Sequence, residues 1–235
     1  MEKLWDLNHT LARAYLEKFE RPWEALGGIG AFLEEIMQNA KGKGQGDPSS
    51  VSSADTFSPG RRLGEEFGEI SKGVWVHETA KVAPSAVIMP PCIIGANTEI
   101  RTGAFLRGSV LVGDNCVVGN SVEIKNAILF DGVQVPHFNY VGDSILGYKA
   151  HFGAGAVTSN VRGDKALVKI AGVETGRKKV GAFVGDFGEI GCNAVLNPGV
   201  IVGKNSQVYP TACVRGIVPG NSIYKADGTI VPKNA

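Results

Sequence analysis

Apolar residues occupy every sixth position along much of the chain. Nine of them run without a break from Val76 to Ile124, and a second run extends from Val184 to Val214. A period of six fits neither the turn of an α-helix nor the two-residue alternation of a half-buried strand. It is typical of hexapeptide repeats, in which each repeat supplies one short strand and one corner of a parallel β-helix. The sequence therefore predicts a mainly β fold whose coils each take about 18 residues and stack on one another.

Residues 1–40 carry a different pattern, and we predict helices from position 8 to about position 39. Leu7, Leu11, Tyr15 and Phe19 recur at every fourth position, which places them on one face of a helix. Pro22 interrupts that helix and suits the first turn of a second one. The apolar stripe of the second helix comprises Trp23, Leu26, Phe32, Leu33, Ile36 and Met37.

Two stretches interrupt these patterns. Residues 41–74 are rich in glycine, serine, aspartate and lysine, a composition that buries little apolar surface, so they are predicted to form a linker. Thr158 ends one repeat register and Val184 begins the next, 26 positions later, where one coil needs about 18. We therefore divide the chain into a helical segment (1–40), a linker (41–74), a β-helix (75–225) with a projecting loop around 159–183, and a C-terminal tail (226–235).

Composition narrows the class of protein. The 32 glycines among 235 residues are about twice the average share, which suits repeated corners inside a folded domain. The net charge of +1 provides no general attraction to nucleic acid or to an anionic membrane. No stretch resembles a signal peptide or a membrane span, and the four cysteines form no CxxC pair. We therefore expect a soluble, cytoplasmic protein with free thiols, no metal, and no nucleic-acid or membrane partner.

Two basic residues fall one predicted coil apart. Arg107 and Lys125 are 18 positions apart, and each directly follows an inward apolar residue. Neighbouring strands lie about 4.8 Å apart, so the two cations repel each other unless an anion lies beside them. A phosphate monoester is the natural candidate for that anion. Two solvated charges on an exposed face are the alternative.

His137 lies near a predicted corner, within the densest polar stretch of the repeat, PHFNYVGD. A histidine in that position can act as a general base near neutral pH, although an exposed histidine can also be merely solvated. The projecting loop carries many lysines and arginines. It can reach a phosphorylated substrate, a neighbouring subunit, or only solvent.

One stretch of the repeat closely resembles the acetyltransferase domain of the bifunctional enzymes that make UDP-N-acetylglucosamine: GNSVEIKNAILFDGVQVPHFNYVGDSILGYKAHFGAGAVTSN. The resemblance covers roughly residues 75–225, and the projecting loop is more similar to archaeal sugar-1-phosphate enzymes of the same type. It implies a left-handed β-helix of the hexapeptide acyltransferase family and a homotrimer with its sites between subunits. It also implies acetyl transfer from acetyl-CoA to an amino-sugar 1-phosphate, with glucosamine-1-phosphate as the first candidate and no metal.

The same resemblance implies residue roles. His137 is the general base, and Asn160 lies near the acetyl donor as the second catalytic residue. Arg107, Lys125 and Tyr140 bind the sugar phosphate. The other substrate-binding positions are His151, Lys165 and Lys169, and the coenzyme-binding positions are Ala154, through its backbone, and Cys192. His151 replaces an asparagine of the bacterial enzymes and Cys192 replaces a serine, so the choice of amino sugar stays open.

Other functions remain open as well. A β-helix with a helical start can be a non-catalytic subunit that partners a separate sugar-1-phosphate nucleotidyltransferase. A zinc carbonic anhydrase needs three histidines, and the candidates here are His77, His137 and His151. His137 and His151 are 14 positions apart and fall in different phases of the repeat, so they do not stack. The segment 1–70 is too short for a uridylyltransferase domain, so we expect no uridylyl transfer by this chain. That segment could cap the first coil or recruit a nucleotidyltransferase.

Overall fold

The computed structural model describes residues 3–43, 63 and 66–233. Most of these residues form a parallel β-helix of about eight coils. Each complete coil crosses three flat faces, which we call A, B and C. The predicted class, a mainly β parallel helix preceded by a helical segment, is confirmed. Residues 44–62 of the predicted linker lie outside the described residues.

The strands of each face pair in parallel from coil to coil. Face A consists of Lys81–Val82, Glu99–Ile100, Val117–Asn120, Gln134–His137, His151–Phe152, Glu189–Ile190, Gln207–Val208 and Ser222–Tyr224, with Ile230–Pro232 added antiparallel at its end. Face B consists of Val87–Met89, Phe105–Arg107, Val157–Thr158, Val195–Leu196 and Cys213–Val214. Face C consists of Val74–His77, Cys92–Ile94, Val110–Val112, Ala182–Val184, Val200–Val202 and Ile217–Val218. Two longer strands, Glu123–Leu129 and Tyr140–Leu146, belong to faces B and C together.

The two long strands turn the corner between faces B and C without a break. Asn126 and Asp143 stand at that corner with φ of 47° and 50°, the left-handed region that asparagine and aspartate tolerate better than other side chains. The register changes at the same point. Phe105 pairs with Glu123, which lies one regular coil later in the chain. Glu123 pairs in turn with Tyr140, and the step between these two is one residue shorter than the step before it. The coil is therefore one residue shorter in the middle of the helix.

The apolar residues of the hexads form the core. Leu106, Ile124 and Val141 are fully buried on successive coils. Cys92 and Cys116 are buried among them as free thiols, and burial raises the pKa of both far above the ordinary value. Cys192 and Cys213 are free and exposed.

The N-terminal segment is more broken than its sequence predicts. It contains a 3-10 turn at Leu7–His9, helix α1 at Arg13–Leu16, a 3-10 helix at Pro22–Gly27 and helix α2 at Ile29–Lys43. The prediction of one continuous first helix is wrong, because the chain is extended at Thr10 and α1 is only a single short turn. The spacing of the apolar residues still identified buried positions. Packing against the β-helix, rather than helical propensity, decides the local conformation.

Residues 3–43 lie along face C. The Trp5 indole donates a hydrogen bond of 2.7 Å to the carbonyl of Val184 and packs against Phe130. Helix α2 contacts the face C strands Val110–Val112 and Glu123–Leu129. Near the end of α2, Lys41 forms a 2.7 Å ion pair with Glu69. One face of the prism is therefore covered by the chain itself.

A separate strand protects the edge of the first coil. Phe67–Ser71 pairs antiparallel with Val74–His77. An exposed strand edge invites pairing with other chains, so this hairpin blocks that route on face C. Within the described ranges, no helix is long and apolar enough to cross a membrane.

The chain leaves the β-helix after Thr158 and re-enters it at Ala182. This excursion contains a small hairpin, Lys169–Ile170 with Val173–Glu174. Val168 and Ile170 are buried, and both lie against Gly199, where an added Cβ would come within 2.8 Å of Ile170. The excursion therefore folds back against the following coil.

Candidate active site

Face B carries the two basic residues that the sequence singled out. The register pairs Leu106 with Ile124, which sets Arg107 and Lys125 on neighbouring coils. Each cation has a carboxylate beside it. Arg107 forms a 2.6 Å ion pair with Glu123, and Lys125 lies 3.9 Å from the carboxylate of Asp143. The two cations therefore belong to a row of mixed charge on face B.

Tyr140 lies in the next coil of face B, half-buried, with its hydroxyl above Gly142. A Cβ at Gly142 would collide with that hydroxyl, so the glycine leaves room for the end of the Tyr140 side chain at this place. Burial raises the pKa of Tyr140, and the nearby carboxylates of Asp143 and Glu123 raise it further. The phenol therefore stays protonated at neutral pH and can donate a hydrogen bond.

Asn160 joins this cluster through its side-chain amide. Its Nδ2 donates to the Tyr140 hydroxyl at 3.1 Å and to Asp143 Oδ2 at 2.6 Å. Asp143 Oδ1 accepts a further hydrogen bond of 2.9 Å from Asn126 Nδ2. Sequence reasoning missed Glu123, Asn126 and Asp143. The equal spacing from Asn126 to Asp143 and from Asp143 to Asn160 could have revealed these three residues as one corner column.

His137 stands at the other end of face B, at the corner where face A ends. The Gly155 N–H donates to the His137 carbonyl at 3.0 Å, which sets Ala154 beside His137 on the next coil. Cys192 lies on the coil after that. Its backbone N is so close to Gly153 that a Cβ on Gly153 would collide with it. The His137 side chain is exposed. In the part of the chain that the structure describes, its imidazole makes no hydrogen bond and the Ala154 N–H has no acceptor.

Three predicted substrate residues lie elsewhere in the single chain. His151 is on face A, where its Nδ1 lies 2.9 Å from Glu189. Lys165 and Lys169 are exposed on the excursion, and Lys169 forms a 3.0 Å ion pair with Glu174. One chain therefore brings Arg107, Lys125, Tyr140 and Asn160 together on face B, flanked by His137, but not the remaining three residues.

A cavity of about 430 Å³ lies at the base of the excursion, directly after Asn160. Its walls include Arg162, Arg215 and Asn197. Arg162 is held by both carboxylate oxygens of Asp164, at 2.6 and 2.9 Å. Asp164 lines the same cavity, so only the Arg215 guanidinium lacks a carboxylate partner among the described residues and can hold an anionic group there.

The described residues contain no group of three histidine, cysteine or acidic side chains that could hold a metal ion. His77 is buried beside Glu66, on the first coil, whereas His151 pairs with Glu189 further up the helix. The three histidines of the zinc hypothesis are therefore not assembled within one chain.

Known proteins resemble this chain in sequence. The profile of a family described as the GMPPB C-terminal domain matches residues 99–173. The bifunctional sugar-1-phosphate nucleotidylyltransferase/acetyltransferase of Sulfurisphaera tokodaii is 33% identical over 68% of this chain and 41% of its own length. The bifunctional protein GlmU of Methanococcus maripaludis is 30% identical over 94% of this chain and 50% of its own length.

Solved structures give more distant matches. The UDP-N-acetylglucosamine acyltransferase of Francisella novicida is 18% identical, with a TM-score of 0.38 over 69% of this chain and 68% of that one. The acetyltransferase domain of PglB from Neisseria gonorrhoeae, in complex with acetyl coenzyme A, is 16% identical, with a TM-score of 0.30. The match covers 68% of this chain and 57% of that chain. The chain spans half or less of the length of the two curated relatives above. The resemblance read from the sequence is confirmed: this chain is a hexapeptide-repeat β-helix homologue of the GlmU-type bifunctional enzymes.

Proposed function

We propose that this chain is an acetyl-CoA-dependent N-acetyltransferase acting on an amino-sugar 1-phosphate. Glucosamine-1-phosphate is the first candidate substrate, in the synthesis of UDP-N-acetylglucosamine or a related nucleotide sugar. The observation that carries the proposal is the row on face B, where Arg107 and Lys125 stand one coil apart beside Tyr140. The name of the Sulfurisphaera tokodaii relative supports it, because it combines sugar-1-phosphate nucleotidylyltransferase and acetyltransferase activities.

The residues divide the chemistry between binding and proton transfer. Arg107 and Lys125 hold the phosphate, which fixes the amine of the sugar in place. His137 accepts a proton from the ammonium group, and the freed amine then attacks the carbonyl carbon of the thioester. The C–S bond breaks, and the nitrogen gives its second proton to the departing thiolate. The products are an acetamido sugar phosphate, a thiol and the proton held by His137. The Ala154 N–H stabilises the negative charge that develops on the carbonyl oxygen.

Coenzyme A is a thioester carrier with several phosphates, and two features of this chain suit it. Ala154 and Cys192 form a column at the corner beside His137, along which the thioester arm can lie. The cavity lined by Arg162 and Arg215 offers the Arg215 guanidinium for a phosphate, and a phosphate that also binds Arg162 has to displace Asp164. We propose that both features bind acetyl-CoA, and that no metal takes part.

A homotrimer would bring the remaining residues to the site. His151, Lys165 and Lys169 lie away from face B in the single chain. Face C is covered by residues 3–43, so faces A and B are left for contacts between subunits. In the proposed trimer, face A of one subunit brings His151 next to face B of another. The four free cysteines suit a cytoplasmic location, where thiols stay reduced.

The proposal is tested by measuring thiol release from acetyl-CoA with purified protein. Glucosamine-1-phosphate, galactosamine-1-phosphate and unphosphorylated glucosamine serve as acceptors. We expect turnover with an amino-sugar phosphate and a loss of about 10²- to 10⁴-fold in His137→Ala. His9→Ala, which removes a histidine stacked on Tyr148 far from face B, is the matched control and keeps its activity. Absence of thiol release with every amino-sugar phosphate would sink the proposal.

A second candidate is a non-catalytic subunit of a separate nucleotidyltransferase. It is favoured by one observation, namely that the Sulfurisphaera tokodaii relative is named for sugar-1-phosphate nucleotidylyl transfer as well as for acetyl transfer. Under this hypothesis, nucleotidyltransferase activity of the partner rises when this chain is added, and His137→Ala stimulates it equally well. The response of the two assays to His137→Ala separates the two functions.

A further inference from the structure

Asp143 is a buried carboxylate at the centre of the face B cluster. Its side chain is only 7% exposed, and it receives hydrogen bonds from Asn126 and Asn160 on the neighbouring coils. Lys125 lies 3.9 Å from the same carboxylate. Asp143 therefore contacts two side chains of the proposed site, Lys125 and Asn160, although none of the proposed chemistry uses Asp143 itself.

The carboxylate determines which way the Asn160 amide faces. An ionised carboxylate only accepts hydrogen bonds, so the NH₂ group of Asn160 has to point toward Asp143. That NH₂ group also donates to the Tyr140 hydroxyl. The other end of the amide, Oδ1, receives no hydrogen bond from the described residues. The Tyr140 hydroxyl accepts from Asn160, which leaves its own proton free to donate.

The opposite side of Asp143 is fixed by the N-terminal segment. The Asn126 NH₂ group donates one hydrogen to Asp143 and the other to the carbonyl of Leu26, at 3.1 Å. A carbonyl only accepts, so Asn126 cannot turn around without losing that bond. Asn126 is therefore the rigid member of the column, and Asn160 is the one that can turn.

We propose that Asp143 is a positioning residue that keeps the Asn160 amide oxygen and the Tyr140 O–H proton directed toward the substrate. The amide oxygen then accepts from an N–H group, as the amine of the sugar or the amide of the coenzyme arm provides. The Tyr140 proton donates to an oxygen of the sugar phosphate. This inference rests on the proposed function and adds a device that sets the polarity of the site.

Asp143→Asn reverses that polarity with little change of shape. The new amide has one accepting oxygen and one NH₂ group, so it can satisfy only one of its two asparagine neighbours. Asn160 turns, because Tyr140 can switch from acceptor to donor while Leu26 cannot. Asparagine also tolerates the φ of 50° at this corner, so the backbone keeps its conformation.

The kinetic test compares kcat and KM in the thiol-release assay. Asp143→Asn lowers kcat by about 10- to 100-fold, because two hydrogen-bonding groups then face the substrate with the wrong polarity. The KM for the amino-sugar phosphate does not rise, because Lys125 has lost the competing carboxylate. In an Asn160→Ala background, Asp143→Asn changes kcat by less than about twofold. An equal loss of kcat in both backgrounds overturns the proposal.

A matched control separates positioning from stability. Asp186 is another buried corner carboxylate, which accepts from the backbone N–H of Tyr148 and of Asp6 and pairs with Lys204 at 3.0 Å. Asp186→Asn lowers the thermal stability and leaves kcat unchanged. A similar fall of kcat in Asp186→Asn would show that the loss of any buried carboxylate reduces activity, and would overturn the assignment.

A second measurement needs no substrate. The side-chain NH₂ signals of Asn126 and Asn160 are assigned in ¹⁵N NMR spectra by their loss in Asn126→Ala and Asn160→Ala. The hydrogens of both NH₂ groups exchange slowly with solvent in the unmodified protein. Asp143→Asn exposes only the NH₂ group of Asn160 to solvent. Unchanged Asn160 signals in Asp143→Asn overturn the proposal. The expected NMR change in a protein that turns over no amino-sugar phosphate supports the network and rejects the acetyltransferase function.

Discussion

Glu123 competes with the proposed substrate for Arg107. The Arg107 guanidinium lies 2.6 Å from the Glu123 carboxylate, and the two side chains are 42% and 37% exposed. A phosphate that binds Arg107 in a bidentate manner has to displace this carboxylate or share the guanidinium with it. Glu123 also adds negative charge beside a dianion. Removing its charge should therefore tighten the binding of the phosphorylated substrate.

The size of the effect follows from the exposure of the pair. Exposed ion pairs contribute about 0.2–1 kcal/mol. At about 1.4 kcal/mol for each tenfold change in affinity, Glu123→Gln lowers the KM for glucosamine-1-phosphate by about 1.4- to 5-fold. The kcat stays the same, because Glu123 acts on the phosphate in the ground state and the transition state alike.

The assay is thiol release at varied concentrations of glucosamine-1-phosphate and, in parallel, of unphosphorylated glucosamine. Glu17→Gln is the matched control, because Glu17 forms a similarly exposed 2.8 Å pair with Arg13 away from face B. A higher KM for the phosphate substrate in Glu123→Gln would refute the reasoning. An equal fall of KM for both acceptors would also refute it, since glucosamine has no phosphate for Arg107 to bind.

Two further predictions concern the N-terminal segment. Trp5→Ala removes a fully buried side chain and its hydrogen bond to Val184. We expect a loss of about 3–5 kcal/mol in the free energy of unfolding, measured by denaturant titration, or early release of residues 3–43, measured by limited proteolysis. Unchanged stability and protease resistance would contradict the observed packing. Burial raises the pKa of Tyr15 to about 12, above its ordinary value of 10.0. The unfolded chain then loses this proton first, so stability falls as the pH rises from 10 to 12, and Tyr15→Phe shows a shallower fall in the same titration.

The β-helix could be predicted from the sequence because its signal is local. Each hexad places one apolar residue toward the axis, and a strict period of six has no other common structural cause. The N-terminal segment could not be predicted in the same way. Its apolar residues meet a surface formed by residues that are distant in sequence, and the bends at Thr10 and Gly28 follow that surface.

Prediction of the site depended on the kind of interaction. Arg107 and Lys125 were found because their spacing matches one regular coil. Glu123 and Asp143 were missed because a carboxylate beside a cation leaves no mark in a single sequence. The coil also loses one residue at this point, so the regular period of the repeat does not align Asn126, Asp143 and Asn160. The contacts of His151 with a neighbouring subunit remain a prediction.

The hydrogen bond between Trp5 and Val184 joins residues that are 179 positions apart. At a synthesis rate of about 5–20 residues per second, Trp5 is made about 10–35 seconds before its partner. During that time the apolar residues of the N-terminal segment have no face C strand near Val184 to cover them. Residues 3–43 therefore emerge from the ribosome before the β-helix and yet are among the last to dock, and their docking depends on the nascent chain staying free of aggregation until the sixth coil is made.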